Sequence, residues 1–378
     1  MRIAFDAQPL LDRTPTGVGR YEAELLSALL RKYDERLLLT YFIRRSRRED
    51  KARLAPFTDL GAQDSPCRFL FQKIYNIASR LLPVPYSPFF PRTDISHFFN
   101  YSVPAGVKGC CAVTVYDMVF RDMPETMEPR NRRRLAAVLE KSLKRAQFVV
   151  TISEFSRQRI LHWYDIPPEQ VVVVPCGVDT QRFHPLSAEE INNNLPKDVP
   201  PQYLLYLGTL EPRKNLCRLL DAYALLRSRC RDLPPLVLAG VKGWESSELY
   251  RRIGALGGSV IQLGFVPSEQ LVPLICGAEG FLFPSLYEGF GLPPLEAMAC
   301  GVPVLTSNAA SMPEVVGECA VLTDALSIES IADGIERLLS DSVLRRRLCA
   351  EGQQRAAMFT WERAADILHD SYKSCLGI

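Results

Sequence analysis

Short runs of strand-forming residues alternate with helical patterns along almost the whole 378-residue chain. This alternation is typical of parallel sheets with helices on both faces. The runs predict strands at residues 2–6, 37–43, 95–99, 110–116, 148–152 and 171–174 in the first half, and at 203–207, 236–239, 260–263, 280–283, 303–306 and 320–322 in the second. The sequence therefore predicts an α/β fold.

A stretch of Gly, Pro and polar residues interrupts the alternation between residues 175 and 202. The chain is also longer than a single hydrophobic core usually supports. We therefore expect Rossmann-like domains at 1–180 and 181–359, followed by a C-terminal helix at 360–378 that crosses back to the first domain. Two such sheets would face each other across a cleft, and ligands bind at the carboxyl ends of parallel strands.

The amino-acid composition argues against several functional classes. The chain is 47% hydrophobic and 23% charged with a net charge of +2, which is close to the globular average and does not indicate a nucleic-acid-binding surface. No run of about 18 uninterrupted apolar residues is present, so a cytoplasmic protein without a signal peptide or transmembrane helix is expected. The eleven cysteines are scattered without zinc-like spacing, which favours reduced thiols.

Gly17 and Gly19 are predicted to lie between the first strand and a helix that starts near Tyr21. Glycines there let the backbone approach a ligand closely, and a helix start favours an anion such as a diphosphate. A purely structural turn is the alternative.

Arg213 and Lys214 follow directly after the first strand predicted for the second domain, and Asn215 is a candidate cap for the next helix. Two cations on a short loop at the end of a strand suit a diphosphate, whose negative charge they would neutralise. The alternative is a solvated basic turn.

The segment "YEGFGLPPLEAMACGVPV" places Glu288 in a loop after a predicted strand and Glu296 near the start of a helix. Pro293 and Pro294 suit the first helical positions, where no N–H partner is needed. The helix dipole alone would account for Glu296. It does not account for the Gly-Phe-Gly loop.

These segments carry a family resemblance. "YLGTLEPRKN", "PSLYEGFGLPPLEAMACGVPV" and "NAASMPEVVGECAVL" resemble the C-terminal domain of the retaining GT-B glycosyltransferases of family 4, with Glu288 and Glu296 as the E-x7-E pair. "FDAQPLLDRTPTGVGRY", "FVVTISEFSRQRI" and "VVVVPCGVD" resemble segments of the N-terminal domain. The resemblance implies that the domain at 1–180 binds the acceptor and that the domain at 181–359 binds the nucleotide-sugar. Within the family, "GxGRY" and "EPRKN" look most similar to the O-antigen mannosyltransferase group.

The resemblance implies roles for individual residues. Arg213 and Lys214 would bind the nucleotide diphosphate and stabilise the leaving phosphate, Glu288 would hold hydroxyls of the donor sugar, and Glu296 would accept hydrogen bonds from the ribose. The implied catalytic residues are Arg213, Lys214 and Glu288, and the implied donor-binding residues are Gly17, Gly19, Glu288, Gly289, Phe290, Gly291, Leu292 and Glu296.

One position departs from the family pattern. Where family members commonly carry His-Asp, as in "TVHDL", this chain reads "TVYDM" with Tyr116 and Asp117. The family histidine contacts the donor sugar, whereas a tyrosine is a poor base at neutral pH. Because the leaving phosphate is proposed to take the acceptor proton in this family, Tyr116 need not abolish activity. The resemblance implies that Tyr116 and Asp117 contact the acceptor or the donor sugar, and a packed aromatic is the alternative for Tyr116.

The expected ligands are a nucleotide-sugar donor and a lipid-linked or saccharide acceptor, with no cofactor and no nucleic acid. The chain has no Asp-x-Asp motif, in agreement with metal-independent chemistry. GDP-mannose is the donor suggested by the nearest resemblance, and UDP-hexoses and dTDP-rhamnose remain alternatives.

A basic segment at residues 44–53 precedes an apolar and cationic one that includes Phe69, Leu70, Lys73, Ile74, Ile77, Arg80, Leu81 and Leu82. Such a segment could lie on an anionic membrane, which would place the protein at the inner face of the cytoplasmic membrane beside a lipid-linked acceptor. The alternative is a solvated loop followed by a core or acceptor-site helix.

The leading hypothesis is a retaining hexosyltransferase of cell-surface polysaccharide synthesis. Another enzyme of the same fold, such as a nucleotide-sugar epimerase or a phosphorylase, would need residues that the sequence does not place. A non-catalytic or weakly active sugar-nucleotide-binding subunit is a further alternative, in which Tyr116 records lost activity.

Overall fold

The computed structural model describes residues 1–12, 17–43, 47–82, 84–230, 232–244 and 247–378, without the side chains of residues 68–70, 76, 80 and 81. The chain forms two compact units. Unit 1 comprises Met1–Phe120, Arg130–Gly177 and Trp361–Ile378, and unit 2 comprises Arg121–Pro129 and Val178–Thr360. The short segment Arg121–Pro129 thus lies with unit 2, whereas the predicted division had it in the first domain.

Unit 1 contains a seven-stranded sheet in which every neighbouring pair of strands is parallel. Its strands are β1 (Arg2–Asp6), β2 (Arg36–Ile43), β3 (Gln63–Phe71), β4 (Ile95–Phe98), β5 (Cys110–Thr114), β6 (Phe148–Thr151) and β7 (Val171–Val173). The order across the sheet is β3-β2-β1-β4-β5-β6-β7. The inner strands β4, β5 and β6 are buried along their whole length, as expected where helices cover both faces.

The first six helices of the chain lie between these strands. They are α1 (Gly17–Lys32), α2 (Arg47–Thr58), α3 (Gln72–Leu81), α4 (Val119–Asp122), α5 (Pro129–Leu143) and α6 (Glu154–Trp163). The Ser153 side chain caps α6 by accepting a hydrogen bond from the Ser156 N–H. This cap satisfies one of the donors that every helix start leaves without an intrahelical partner.

Unit 2 contains a six-stranded parallel sheet in the order β10-β9-β8-β11-β12-β13. Its strands are β8 (Leu204–Leu207), β9 (Leu236–Ala239), β10 (Val260–Gly264), β11 (Gly280–Phe283), β12 (Val304–Ser307) and β13 (Val321–Thr323). Its helices are α7 (Ala188–Asn194), α8 (Leu216–Arg229), α9 (Ser247–Leu256), α10 (Ser268–Cys276), α11 (Leu292–Ala299), α12 (Met312–Val316), α13 (Ile328–Ser340) and α14 (Ser342–Ala357). The predicted α/β class with two Rossmann-like parallel-sheet units is confirmed.

The turns after β8 and β9 require glycine. Gly208 has φ +153° and Gly240 has φ +146°, a backbone conformation that residues other than glycine rarely adopt. A Cβ on Gly240 would also overlap the carbonyl oxygen of Gly208. These two turns let the strand ends of unit 2 pass within backbone contact of each other.

The structure corrects two expectations about the basic segment. Residues 47–53, which the alternative to membrane contact placed in a solvated loop, belong to α2, and the edge strand β3 was not predicted. The strand β3 could not be recognised from the sequence because it contains Pro66 and begins with polar residues. Such residues are tolerated at a sheet edge but not in a central strand. Residues 44–46, and the side chains of Phe69, Leu70, Arg80 and Leu81, lie outside the described part of the chain.

The last helix, α15 (Trp361–Leu376), belongs to unit 1 and packs on α1. Trp361 contacts the ring of Tyr21 edge-on at 5.7 Å between centroids, and Lys32 donates a hydrogen bond to Asp366 at 2.7 Å. Further along, Tyr372 is fully buried, and its hydroxyl lies 2.6 Å from Nδ1 of His97 in β4. The helix therefore completes the core of unit 1.

The structure also joins Cys110 in β5 to Cys375 in α15 by a disulfide. The expectation that all thiols are reduced was therefore wrong. The two cysteines are 265 residues apart, so no local spacing in the sequence could have revealed the pair. In the described part of the chain, no helix has the length and apolar character needed to cross a membrane.

We expect Tyr372→Phe to lower the free energy of unfolding of unit 1 by about 1–3 kcal/mol, because it leaves a buried nitrogen of His97 without its partner. Urea denaturation followed by tryptophan fluorescence measures the change. Tyr250→Phe in unit 2 is the matched control, with an expected change below about 0.5 kcal/mol. Equal losses in the two variants would contradict the role given to the His97 contact.

Candidate active site

The candidate site lies where two neighbouring strands of unit 2 end. β8 leads into a turn of 3-10 helix at Pro212–Lys214, and β11 leads into the loop that precedes α11. Because β8 and β11 pair directly, their carboxyl ends are adjacent. The two loops are joined by a backbone hydrogen bond of 2.9 Å from the N–H of Leu286 to the carbonyl of Arg213.

Four charged side chains from these loops form one cluster, Glu211, Arg213, Lys214 and Glu288, which we term the ion cluster. The two oxygens of Glu288 accept separate hydrogen bonds, one from Nη1 of Arg213 and one from Nζ of Lys214, each at 2.7 Å. Arg213 also donates to Glu211 at 2.7 Å and to the carbonyl of Tyr287 at 2.8 Å. Glu288 is thus held between two cations.

Burial and charge act in opposite directions on Glu288, which is 7% exposed. Burial by itself would raise the pKa of the carboxyl, but the adjacent Arg213 and Lys214 outweigh it and lower the pKa to about 2. The group is therefore fully ionised at neutral pH.

Lys214 is the more buried of the two cations in the ion cluster. Its Nζ lies 4.9 Å from the ring centroid of Phe283, at the end of β11. Burial and the neighbouring Arg213 lower the pKa of the Lys214 ammonium, while Glu288 raises it. A buried ammonium with such partners is a point charge held in one place, which suits recognition of a phosphate.

The loop that carries Glu288 is held from two sides. The Ser311 hydroxyl lies 3.0 Å from the carbonyl of Glu288 and 2.9 Å from that of Phe290. The Tyr287 hydroxyl donates to Asp122 at 2.8 Å. Gly291 has φ +107°, and a Cβ there would overlap the Met312 side chain, so the loop needs glycine at this position.

The helix after the loop carries the second acid. Leu292 is the first residue of α11, and Pro293 and Pro294 follow it in the first turn, as predicted. Glu296 lies in the second turn and is 2% exposed. The helix dipole favours acids in the first turn, and such acids usually lie exposed. The dipole alone therefore does not account for a buried carboxylate in the second turn.

Asn215 is the N-cap residue of α8, as expected, but its side chain makes no capping hydrogen bond. It occupies the N-cap position in a left-handed conformation with φ +62°. Its amide instead donates to the carbonyls of Pro284 at 3.0 Å and Ala325 at 2.6 Å. Asn215 thereby ties the β8 loop to the segments that follow β11 and β13.

Gly17, Gly19, Tyr116 and Asp117 lie in unit 1. The expectation that the two glycines precede the helix was wrong, because α1 already begins at Gly17 and includes both in its first turn. Gly17 is exposed and Gly19 is buried.

Tyr116 is 8% exposed and contacts Tyr21 edge-on at 5.5 Å. Its hydroxyl has no hydrogen-bond partner among the described residues, and burial raises its pKa well above the ordinary range. These are the surroundings of a packed aromatic. Asp117 accepts a hydrogen bond from the N–H of Val119 at 3.2 Å, at the start of α4.

Two contributors to the site were missed. Glu211 precedes the basic pair in "LEPRKN", and its acidic character beside two cations was an available signal. Ser311 was visible only as one residue of "NAASMPEVV", and nothing in the sequence indicated that its hydroxyl would reach a loop 21 residues earlier.

Family models and solved structures agree with this architecture. Residues 187–355 match the model for glycosyl transferases group 1, and residues 15–182 match that for glycosyltransferase family 4. Sucrose-phosphate synthase from Thermosynechococcus elongatus superimposes with a TM-score of 0.71 at 21% identity, covering 100% of this chain and 99% of that one. HepE of Anabaena, solved with UDP and glucose, gives 0.70 at 18% identity, covering 99% and 100%. The fold is that of the GT-B glycosyltransferases.

The O-antigen chain mannosyltransferase B of Escherichia coli is 34% identical over 391 aligned residues, which cover 99% of this chain and all of the relative. With both family models matched in order along the chain, the protein belongs to the group 1 glycosyltransferases of family 4.

We expect Glu288→Gln to make the free energy of unfolding of unit 2 less dependent on pH in the acidic range. The folded-state pKa of Glu288 lies at about 2, below its ordinary value of 4.5, so its stabilisation is complete above pH 4.5 and is lost as the pH falls through 2. A shift of this size corresponds to roughly 3 kcal/mol.

Urea denaturation between pH 7 and pH 2 measures the effect. The wild-type protein should lose more stability on acidification than the variant, and the variant should be the less stable of the two at pH 7. Glu318→Gln, at an exposed glutamate of unit 2 outside the ion cluster, is the matched control. Parallel curves for wild type and Glu288→Gln would contradict the arrangement.

Proposed function

We propose that the protein transfers a hexose from a nucleotide-sugar to a lipid-linked or saccharide acceptor, with retention of configuration, in the synthesis of a cell-surface polysaccharide. The observation that carries the proposal is Glu288 held between Arg213 and Lys214 at the carboxyl ends of β8 and β11. Mannose from GDP-mannose is the first donor to test, because the full-length relative from Escherichia coli is named as a mannosyltransferase. UDP-hexoses and dTDP-rhamnose are the competing donors.

Arg213 and Lys214 are the proposed partners of the donor diphosphate. The ion cluster carries two positive and two negative side chains, so an incoming diphosphate would draw hydrogen-bond donors away from Glu211 and Glu288. Arg213 is the more exposed of the two cations, with 19% of its side chain accessible against 10% for Lys214. Both cations would then stabilise the negative charge that develops as the nucleotide leaves.

Glu288 is the proposed partner of the donor sugar. A fully ionised carboxylate accepts hydrogen bonds from hydroxyl groups, and the backbone N–H groups of Gly289, Phe290 and Gly291 lie on the same loop. Glu296 on α11, with Leu292 at the start of that helix, is proposed to face the nucleoside and to accept hydrogen bonds from the ribose.

In the proposed reaction the bond between the anomeric carbon and the phosphate oxygen breaks, and a bond to the acceptor oxygen forms on the same face. The acceptor proton passes to the leaving phosphate. Tyr116 is unsuited to act as the base, since burial raises its pKa well above the ordinary range. We propose that the chemistry needs no metal ion, with Arg213 and Lys214 supplying the positive charge.

A peripheral contact with the inner face of the cytoplasmic membrane is also proposed. α3 and its flanks expose Phe71, Ile74 and Ile77 by 56%, 53% and 60%, beside the exposed Lys73. Apolar side chains next to a cation suit the boundary of an anionic bilayer.

We expect Lys214→Ala and Glu288→Ala each to lower the rate of donor consumption by roughly a hundredfold or more, since each removes a charge from the proposed diphosphate and sugar contacts. Release of nucleoside diphosphate, measured in EDTA with and without acceptor, gives the rate. Lys197→Ala, at an exposed lysine of unit 2 outside the ion cluster, is the control.

Near wild-type turnover in both variants would overturn the assignment of the site. Loss of wild-type turnover in EDTA would overturn the metal-free mechanism. Donor binding without any release would favour the non-catalytic alternative.

We expect one nucleoside diphosphate and its sugar to raise the thermal stability of the protein above all others. A ligand at 100 times its dissociation constant adds roughly 2.7 kcal/mol. A thermal-shift screen over GDP-, UDP- and dTDP-sugars measures this, with Lys214→Ala as the variant in which the shift should shrink. A larger shift with UDP- or dTDP-sugars than with GDP-mannose would replace the proposed donor.

A further inference from the structure

Two free cysteines of unit 2, Cys276 and Cys300, lie side by side, although β11 and α11 separate them in the chain. Cys276 is the last residue of α10, and Cys300 occupies the C-cap position of α11. The two thiols are hydrogen-bonded to each other. Neither belongs to the ion cluster, and the proposed transfer reaction does not use them.

The dipeptide His184–Pro185 supports this placement independently. The Cys276 thiol donates a hydrogen bond to the carbonyl of His184, with 3.4 Å between sulfur and oxygen. A Cβ on Gly301, which follows Cys300, would contact the Pro185 ring at 3.4 Å. Cys300 and Pro185 also line one groove of about 520 Å³. The same dipeptide therefore contacts the end of α10 and the turn after α11.

The two thiols differ in their access to solvent. Cys276 is half-buried, and its hydrogen bond to His184 lies at the surface. Cys300 is only 3% exposed. A reagent in solution can therefore reach Cys276 first, while Cys300 is reached most easily from the neighbouring Cys276 sulfur.

The surroundings of Cys276 favour its ionised form. The hydrogen bond from Cys300 lowers the pKa of the Cys276 thiol, against the opposing effect of burial, and Leu186 and His184 reinforce the lowering. The same contact and burial raise the pKa of the Cys300 thiol well above its ordinary range. Because the thiolate is the nucleophilic form of cysteine, Cys276 is the better placed of the two to attack an external reagent.

We infer that Cys276 and Cys300 form a redox-active dithiol whose reaction partner is a small disulfide such as glutathione disulfide. The Cys276 sulfur attacks one sulfur of the external disulfide, which forms a mixed disulfide and releases one thiol. Cys300 then loses its proton and attacks the Cys276 sulfur, which closes the Cys276–Cys300 disulfide and releases the second thiol. The dithiol gives up two electrons and two protons, and the external disulfide takes up both, so no further oxidant is needed.

The position of both cysteines at helix ends makes the closing step feasible. A disulfide holds its sulfur atoms roughly 2.05 Å apart, so the two thiols must move closer than hydrogen-bond contact. Helix ends fray, and they yield more readily than helix interiors. The closed disulfide would tie the end of α10 to the end of α11, the helix that carries Glu296.

Incubation of the purified protein with mixtures of glutathione and glutathione disulfide tests the inference. Acid quenching and labelling of the remaining thiols with N-ethylmaleimide precede cleavage after glutamates and mass spectrometry. Cleavage at the intervening glutamates, Glu279, Glu288 and Glu296, separates the two cysteines unless a disulfide joins them. Cys349 is half-buried and lines the groove beside Cys300, which makes it the internal control.

We expect a cross-linked pair of peptides that contain Cys276 and Cys300, with the label lost from both cysteines together. Cys276 should react roughly tenfold or more faster than Cys349, because burial raises the pKa of the Cys349 thiol. Full labelling of both cysteines in excess glutathione disulfide would overturn the inference. It would also be overturned by glutathione that stays on Cys276 in the wild-type protein, or by pairing of Cys300 with Cys349.

Two single variants test the order of the steps. In Cys300→Ala, Cys276 should stop at the mixed disulfide and keep one glutathione, because no neighbouring thiol releases it. In Cys276→Ser, the buried Cys300 should keep its label over the same time, whereas Cys349→Ser should form the cross-link as the wild type does. Reaction of Cys300 in Cys276→Ser at the wild-type rate would contradict the proposed order.

The inference does not depend on sugar transfer, because the cross-link is measured on peptides without donor or acceptor. A protein that transfers no sugar can still form the disulfide, and a protein that forms no disulfide can still transfer sugar. The wild-type cross-link decides whether the dithiol is redox-active even where a variant fails to fold.

Discussion

The arrangement of the candidate site depends on one buried carboxylate held between two cations. Glu288 could not stay ionised at 7% exposure without Arg213 and Lys214, and Lys214 could not stay charged beneath the loop without Glu288. The carboxylate and the two cations can therefore be buried only together. The backbone around them is correspondingly well anchored, by the Asn215 amide and the Ser311 hydroxyl.

This interdependence has a functional corollary. Under the proposed function, a diphosphate that enters the ion cluster would replace Glu211 and Glu288 as the anionic partner of the cations, instead of desolvating free cations. Folding has already removed water from Arg213 and Lys214, so binding would not carry that desolvation cost again. A site of this kind is called preorganised. The glycine at position 291 then matters because it lets the Glu288 loop pass Met312 without a clash.

Much of the fold could be predicted because its signals are local. Most of the strands are short runs rich in apolar residues, and parallel strands covered on both faces carry that signature. The exceptions have physical reasons. β3 lies at a sheet edge, where Pro66 and polar residues are tolerated, and α2 is too strongly charged to show an apolar period.

The sequence by itself determined the α/β class and the two-unit plan. It also placed Arg213, Lys214 and Glu288 after strands and Glu296 near a helix start. These features could be predicted because glycines in turns, prolines at helix starts and strand ends are each recognisable from a few neighbouring residues. Tertiary structure decided the rest. The pairing of Glu288 with both cations joins residues about 75 positions apart, and the Cys110–Cys375 disulfide joins residues 265 apart. Contacts between distant segments depend on how the elements pack, and no local pattern in the chain specifies them.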